Sequence, residues 1–425
     1  MPAEPEIGVE DREQLVYLLS EAAELEHGLL CCYLFAAFSL KRQSDERLEP
    51  EELEAVMRWD RTISAVAAQE MLHLALVSNL LTSLGAAPHF TRPNFPVRRG
   101  YHPAGFHLSL EPFSAAAVQR FVAMEQPEWM YAEHHEAAHL RRRLASGEGR
   151  GAAIAQGFAT IGHLYRGIEA GFRRLVERHG EAGVFIGPRR AQAVQSLLRF
   201  EGLAPVLDLD SAVAAIELIV EQGEGARGEL EESHYSRFVG IAAELEQLTR
   251  RRPDFQPARP VVANPQSGRP PDAARGTQLT HPFTHRAAEL FDASYEVMVM
   301  MLARFFAHEN ESDDELRTLV DAAIDLMFGV IRPLGRLLTT LPAHAAGGAP
   351  TAGPGFELGR TIHVLPHRHA AWMILGERCA ELAGFAARLA SELEGSDRGL
   401  ERVATSLEDA VRKLARHSPA AIPGR

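Results

Sequence analysis

The sequence predicts an all-α fold, and three observations support this prediction. Apolar residues recur at three- and four-residue steps over long stretches, as they do along one face of an α-helix. Stretches with the alternating pattern of a β-strand are almost absent. Apolar residues make up 46% and charged residues 24% of the 425 positions, which is typical of a globular protein.

Each predicted helix is bounded by glycine, proline or polar residues. The first covers 11–41, where Leu15, Leu18, Ala22 and Leu25 share one face. The others cover 50–84, 114–145, 152–179, 211–248 (with a weak point at its glycines), 283–308, 312–340, 367–393 and 397–416. The proline-rich stretch 86–113 is expected to cross the end of the bundle or to cover a site.

A second proline-rich stretch divides the chain. The run RRRPDFQPARPVVANPQSGRPP cannot continue a helix and has no apolar face. We therefore predict a helical bundle in residues 1–250, a Pro-rich linker in 251–280 and a C-terminal helical region in 281–425.

Charge and cysteine usage exclude several classes of protein. The formal net charge is −13 with no long basic stretch, which argues against a nucleic-acid partner. The three cysteines form neither a disulfide framework nor a zinc pattern, and the N-terminus has no signal-peptide character, so we expect a cytoplasmic protein. No run of eighteen apolar residues is present, so no membrane span is expected.

The spacing Glu-x-x-His is the motif that points to chemistry. Residues three apart share a helix face, so the motif aims a carboxylate and an imidazole at one point. Two such motifs and one Glu from each of two further helices make the six-ligand site of carboxylate-bridged di-iron bundles. The chain contains four copies: Glu24/His27, Glu70/His73, Glu136/His139 and Glu231/His234.

The residues around each copy of the motif indicate which copies are expected to bind a metal. Glu70 and His73 lie in VAAQEMLHLALVSNLL, where apolar residues on every side would make an unpaired carboxylate costly. A ligand pair is expected there, with a buried Glu–His hydrogen bond as the alternative. Glu231 and His234 are also expected to be ligands, because an apolar face continues in step with His234. The copies at Glu24 and at 136–139 have polar surroundings, and we assign them to solvated surfaces.

The remaining ligands must be single carboxylates from other helices. Glu26 lies on the apolar stripe of the first helix and is the candidate there. Glu169 is the candidate from the fourth helix, with His163 as an alternative. The glycine-rich run EQGEG weakens the fifth helix, and Glu221 or Glu224 could then reach the metal instead.

Several of these segments resemble one known family. The runs AAELEHGLLCCYLFAAFSLK at 22–41, QEMLHLALVSNLLTSLGAAP at 69–88, TIGHLY at 160–165, and EQGEG followed by SHYSRF are similar to the ferritin-like family of the iminophenyl-pyruvate dimer synthase type. This family includes the ferritin-like part of violacein-pathway and related bisindole biosynthesis proteins. The likeness covers roughly 10–250, and TAGPGFEL at 351–358 resembles a segment of longer members.

The resemblance implies a ferritin-like bundle with an additional C-terminal helical region. It implies a non-haem iron centre, and it best supports Glu26, Glu70, His73 and His234 as ligands. The ligand pattern predicts two iron ions, and Mn/Fe or a single metal stays open because the same ligands serve all three. The expected activity is that of an oxidase or oxygenase that uses O2 on a small amino-acid-derived or other secondary metabolite. An iron-binding or peroxide-detoxifying protein, a metal-free scaffold and a homodimer stay open as alternatives.

Overall fold

The computed structural model describes residues 7–43, 46–102, 106–130, 158, 160–225, 230–268, 276–308, 310–359, 366–392 and 399–417. Its α-helices are α1 Arg12–Ser39, α2 Pro50–Ser83, α3 Ala115–Met124, α4 Ile161–His179, α5 Glu181–Val184, α6 Gln195–Leu198, α7 Leu209–Gly223, α8 His234–Arg251, α9 Pro282–Phe306, α10 Asp313–Leu326, α11 Arg332–Leu338, α12 Arg368–Glu392 and α13 Gly399–Ala415. A 3₁₀ turn spans Arg189–Ala191, and a π-helical turn spans Met327–Ile331. The strands β1 Pro265–Gln266 and β2 Thr277–Gln278 form a short parallel pair. The all-α prediction is confirmed.

Side-chain caps fix the starts of the two longest bundle helices. The Asp11 carboxylate accepts a hydrogen bond from the Gln14 N–H at 2.9 Å and begins α1. Pro50 is the first residue of α2, and Glu49 and Glu52 cap each other's backbone N–H groups. Both helices follow the boundaries expected from the sequence to within two residues, and they pack against each other.

The predicted helix over 211–248 is wrong, because the structure divides it in two. α7 ends at Gly223, and Gly225 has φ +84°, a left-handed conformation that favours glycine. α8 begins only at His234, where the Ser233 hydroxyl accepts a hydrogen bond from the Ser236 N–H. His234 is therefore the first helical residue, and the residues before it do not share the helix geometry.

Only part of two other predicted helices can be compared. Of the stretches 114–145 and 152–179, the structure describes the helices Ala115–Met124 and Ile161–His179. The motif Glu136/His139, which we assigned to a solvated surface, lies outside the described residues.

The C-terminal helices pack onto the bundle through a shared core. Buried apolar residues from α1, α2 and α9 to α13 belong to one contiguous cluster. The segment that follows α8 also bonds to the bundle, since Pro257 accepts from the Lys41 N–H and Arg259 donates to Ser39. The three-part domain division stays a prediction.

One described helix has the length and composition of a membrane span. This is α2, but 72% of its most apolar window is buried inside the molecule. A membrane span presents most of its surface to lipid, so this burial is typical of a core helix.

Candidate metal centre

Five buried side chains from four parts of the bundle meet at one place. α1 contributes Glu26, α2 contributes Glu70 and His73, the end of α3 contributes Glu125, and the start of α8 contributes His234. Each is at most 3% exposed. Four of the six predicted ligands, Glu26, Glu70, His73 and His234, are thus brought together.

The five groups form two triads that share Glu70. In the first, His73 Nδ1 lies 3.1 Å from Glu70 Oε2 and 3.4 Å from Glu26 Oε2. In the second, His234 Nδ1 lies 3.1 Å from Glu70 Oε1 and 3.7 Å from Glu125 Oε2. Within each triad, all three donor atoms lie within 4.8 Å of one another, a spacing that could hold a metal ion. The two oxygens of Glu70 therefore face different triads, as those of a bridging carboxylate do.

Two tyrosines orient the outer carboxylates. The Tyr165 hydroxyl donates to Glu26 Oε1, and the Tyr33 hydroxyl donates to Glu125 Oε1. Burial and the adjacent carboxylates raise the pKa of both phenols well above the usual value of 10, so both hydroxyls keep their protons. Each outer carboxylate is left with its Oε2 atom facing an imidazole.

The hydrogen bonds of the imidazoles fit a metal site. His73 Nε2 lies 3.1 Å from the side-chain oxygen of Gln222, which accepts its N–H and leaves Nδ1 directed at the carboxylates. His234 is fully buried, yet neither of its ring nitrogens has a hydrogen bond of good geometry within the described chain. Buried polar atoms rarely lack a hydrogen-bond partner, and a bound cation would provide the missing partner of His234 Nδ1.

Charge also favours a cation at this place. Burial and the nearby Glu70 raise the pKa of Glu26 to about 8. Burial alone would lower the pKa values of the imidazoles, but the carboxylates outweigh it and raise the value for His73 to about 10 and for His234 to about 9. Burial would raise the pKa of Glu70, and the two imidazoles outweigh it and lower that pKa. Near neutral pH the metal-free cluster therefore holds protons on Glu26 and on both imidazoles, and a bound divalent cation would take the place of these protons.

The structure does not bring the other two predicted ligands, Glu169 and Glu231, to this cluster. Glu169 lies at the edge of the buried face of α4, where its carboxylate pairs with Arg173 at 2.7 Å. Tyr165, one turn earlier, takes the inward position instead. Glu231 is exposed because α8 begins after it, so the three-residue spacing to His234 no longer places both side chains on one face.

The alternatives to these ligands also lie outside the two triads. Glu221 is exposed, and His163 is buried elsewhere on α4. Glu224 caps α4: its carboxylate accepts from the Gly162 N–H at 2.7 Å and from the Glu128 N–H at 3.1 Å. A Cβ atom on Gly162 would lie 2.5 Å from the Glu224 oxygens, so only glycine allows this approach. Burial raises the pKa of Glu224 to about 8.

Sequence reasoning missed Glu125. It caps the C-terminus of α3 and has no Glu-x-x-His partner. Its spacing in the sequence could have indicated that it is buried, because Glu125 comes four residues after Phe121 and seven after Val118. Both of these side chains are buried.

The first Glu-x-x-His copy has a different environment from the one expected. Glu24 pairs with His89 at 3.0 Å and with the Tyr101 hydroxyl at 2.9 Å, near the surface. His27, however, is buried rather than solvated, because α9 of the C-terminal region covers that side of α1.

A ferritin-like family model matches residues 19–243, more than half of the chain. The chain is a member of the ferritin-like family. All five side chains of the cluster lie within the matched region, which begins inside α1 and ends inside α8.

Two curated proteins are similar to this ferritin-like chain over most of its length. Dichlorochromopyrrolate synthase of Lentzea aerocolonigenes is 31% identical over 410 residues, which cover 88% of this chain and 39% of the synthase. The 2-imino-3-(indol-3-yl)propanoate dimerase of Chromobacterium violaceum is 31% identical over 371 residues, or 81% of this chain and 34% of the dimerase. The chain therefore spans less than two-fifths of the length of either relative.

A solved structure also matches. A ferritin-like protein from Caulobacter vibrioides superposes with a TM-score of 0.47 at 19% identity, over 73% of this chain and 95% of the other.

Proposed function

We propose that this chain is the metal-binding oxidative unit of an enzyme of secondary-metabolite biosynthesis, with two iron ions as its cofactor and O2 as oxidant. The observation that carries the proposal is the pair of triads sharing Glu70. Each triad offers two carboxylate oxygens and one imidazole nitrogen, a donor set that suits iron.

The proposed ligands divide into two outer groups and one shared group. Glu26 and His73 would hold one ion, Glu125 and His234 the other, and Glu70 would bridge them. Three protein donors to each ion leave coordination positions open, as catalytic metal sites require. When bound, the two ferrous ions supply the electrons that reduce O2 and the oxidising power that the substrate then consumes.

The chain's own residues would set the conditions for this chemistry. Tyr33 and Tyr165 hold the outer carboxylates in one orientation, and Gln222 fixes the tautomer of His73. Burial of all five ligands keeps bulk water from the centre, which suppresses side reactions of reactive species.

The proposed substrate is a small amino-acid-derived compound of the 2-imino acid class. Support comes from one relative, which is named a 2-imino-3-(indol-3-yl)propanoate dimerase. The match to this relative covers 81% of the present chain. Because the chain spans about a third of that relative, the activity of the whole relative is not transferred, and only the oxidative step is proposed here.

The test is oxygen consumption by the iron-loaded protein with and without 2-imino-3-(indol-3-yl)propanoate. We expect substrate-dependent O2 uptake and an oxidised product by mass spectrometry, both lost in Glu70→Gln and kept in Glu231→Gln. O2 uptake that is independent of the imino acid would support simple iron oxidation instead, and consumption of added H2O2 without an organic product would support peroxide removal. A protein that binds no iron would contradict the proposal.

A further inference from the structure

A second candidate site lies against α1 and α2, beside the candidate metal centre. An apolar cavity of about 190 Å³ lies between these two helices, α9 and the π-helical turn. Its wall includes Leu30, Leu34, Ala68, Met71, Met298 and Phe306. None of the five candidate metal ligands lines it, but the cavity lies close to them, since the wall residues Leu30 and Ala67 are within one helical turn of Glu26 and Glu70.

The volume of the cavity sets the size of an occupant. Protein interiors are close-packed and contain few voids larger than a water molecule, so a void of this size loses many packing contacts. An apolar cavity of about 150 Å³ is known to stay dry and to hold benzene. The present cavity is larger, and one ring or a compact pair of fused rings would fit.

The backbone beside the cavity has an irregular conformation, and this observation is independent of the cavity's volume. The predicted helix over 312–340 is interrupted by the π-helical turn Met327–Ile331, and such turns occur often at functional sites. The turn contributes Met327, Phe328 and Ile331 to the cavity wall. Phe328 is also 60% exposed, so the cavity reaches the surface at this side chain.

The polar groups on the wall point to the charge of the occupant. His27 Nδ1 donates to the Phe90 carbonyl at 3.0 Å, so its Nε2 accepts the hydrogen bond of the Tyr295 hydroxyl. The hydrogen-bonding groups of His27 and Tyr295 therefore have partners within the protein, and these side chains present mainly ring carbon atoms to the cavity. Arg332 also lines the cavity, and no carboxylate among the described residues pairs with it.

An unpaired guanidinium beside an apolar cavity favours an anionic ligand. Arginine binds carboxylates through two parallel hydrogen bonds, and this contact is stronger where water is partly excluded. We propose that this cavity binds a one- or two-ring aromatic acid, with its ring among the apolar side chains and its anionic group on Arg332.

The test uses 1-naphthoate and its uncharged analogue 1-naphthamide as probes. Isothermal titration calorimetry measures their binding to the full chain, first metal-free and then loaded with Mn²⁺. We expect 1-naphthoate to bind in both states, because the cavity does not include the metal ligands. This readout requires no turnover, so its failure is distinguishable from failure of the proposed oxidase activity.

Three variants test the location and the charge. Arg332→Gln is expected to weaken 1-naphthoate about tenfold or more while changing 1-naphthamide less than threefold. Ala68→Phe fills the cavity and should abolish binding of both probes, whereas Ala65→Phe, an exposed position on the same helix, should not. Thermal unfolding of each variant verifies that it is folded. Any of three results would overturn the proposal. These are no binding of 1-naphthoate to the wild type, unchanged binding in Ala68→Phe, and equal loss of both probes in Arg332→Gln.

Discussion

Glu70 is the residue on which the arrangement of the candidate metal centre depends. Each of its oxygens lies 3.1 Å from a different imidazole, so it is the one carboxylate common to both triads. The sequence predicted Glu70 and its partner His73 as candidate ligands, because apolar residues surround them on all sides of α2. The same reasoning failed for Glu231, because the sequence pattern did not show that α8 begins after it.

Replacement of Glu70 should affect both metal positions. We expect Glu70→Gln to lower bound iron from two ions per chain to less than one, because the amide offers one oxygen rather than two and carries no charge. Glu169→Gln and Glu231→Gln are the matched controls, since both residues lie away from the cluster, and each should keep two ions. Plasma emission spectrometry of the reconstituted proteins measures the ratio. Full occupancy in Glu70→Gln would contradict the shared role of this residue.

The tyrosines allow a finer test at the residue scale. Tyr33→Phe and Tyr165→Phe each remove one hydroxyl that orients an outer carboxylate. Loss of such a partner typically lowers metal affinity by 10- to 100-fold. Competitive titration with Mn²⁺ should show that drop in each variant, whereas Tyr17→Phe, a change on the exposed side of α1, should bind as the wild type does. Unchanged affinity in both variants would argue that the tyrosines serve only in packing.

Helix boundaries decide which side chains reach the centre. The fold class and the positions of α1 and α2 could be predicted, because long periodic segments with caps leave little choice. The break between α7 and α8 was visible only as a weak point at glycines, and its effect on Glu231 depended on where Ser233 caps the new helix. Glu125 was missed because a carboxylate at a helix C-terminus has no spacing motif, and its burial depends on how α3 packs against α8.

The start of α8 provides a test of this dependence. Ser233→Ala removes the N-cap of the helix that begins with His234, and we expect a loss of about 1 kcal/mol in the free energy of unfolding. Because the first turn then frays, affinity for Mn²⁺ should also fall.

Ser312→Ala removes the N-cap of α10, which carries no candidate ligand, and serves as the control. It should cost similar stability in urea unfolding and leave metal affinity unchanged. If Ser233→Ala also leaves the affinity unchanged, then the cap does not position His234.

At the scale of the whole molecule, the titratable groups of the candidate metal centre couple folding to pH. The raised pKa values of His73 and His234 contribute stability to the metal-free protein below about pH 6.5. This contribution is lost as pH rises toward 9 and 10. The raised pKa of Glu26 acts in the same direction, because through this group the protein loses stability as pH rises from its ordinary pKa of 4.5 to the raised value of about 8. A metal ion must displace these protons, so its affinity rises with pH.

We therefore expect Mn²⁺ to raise the melting temperature of the protein more at pH 8 than at pH 6, at the same free metal concentration. Differential scanning calorimetry of metal-free and Mn²⁺-loaded samples measures the two shifts. In Glu70→Gln the shift should be small at both pH values. An equal or smaller shift at pH 8 in the wild type would mean that metal binding does not release these protons.

Anomalous X-ray diffraction at the iron absorption edge, from crystals of the iron-loaded protein, tests directly whether Glu70 lies between two iron ions. Two iron peaks per chain are predicted, one between Glu26 and His73 and the other between Glu125 and His234, with a Glu70 oxygen directed at each. A single peak, peaks away from Glu70, or no iron after reconstitution would contradict the account.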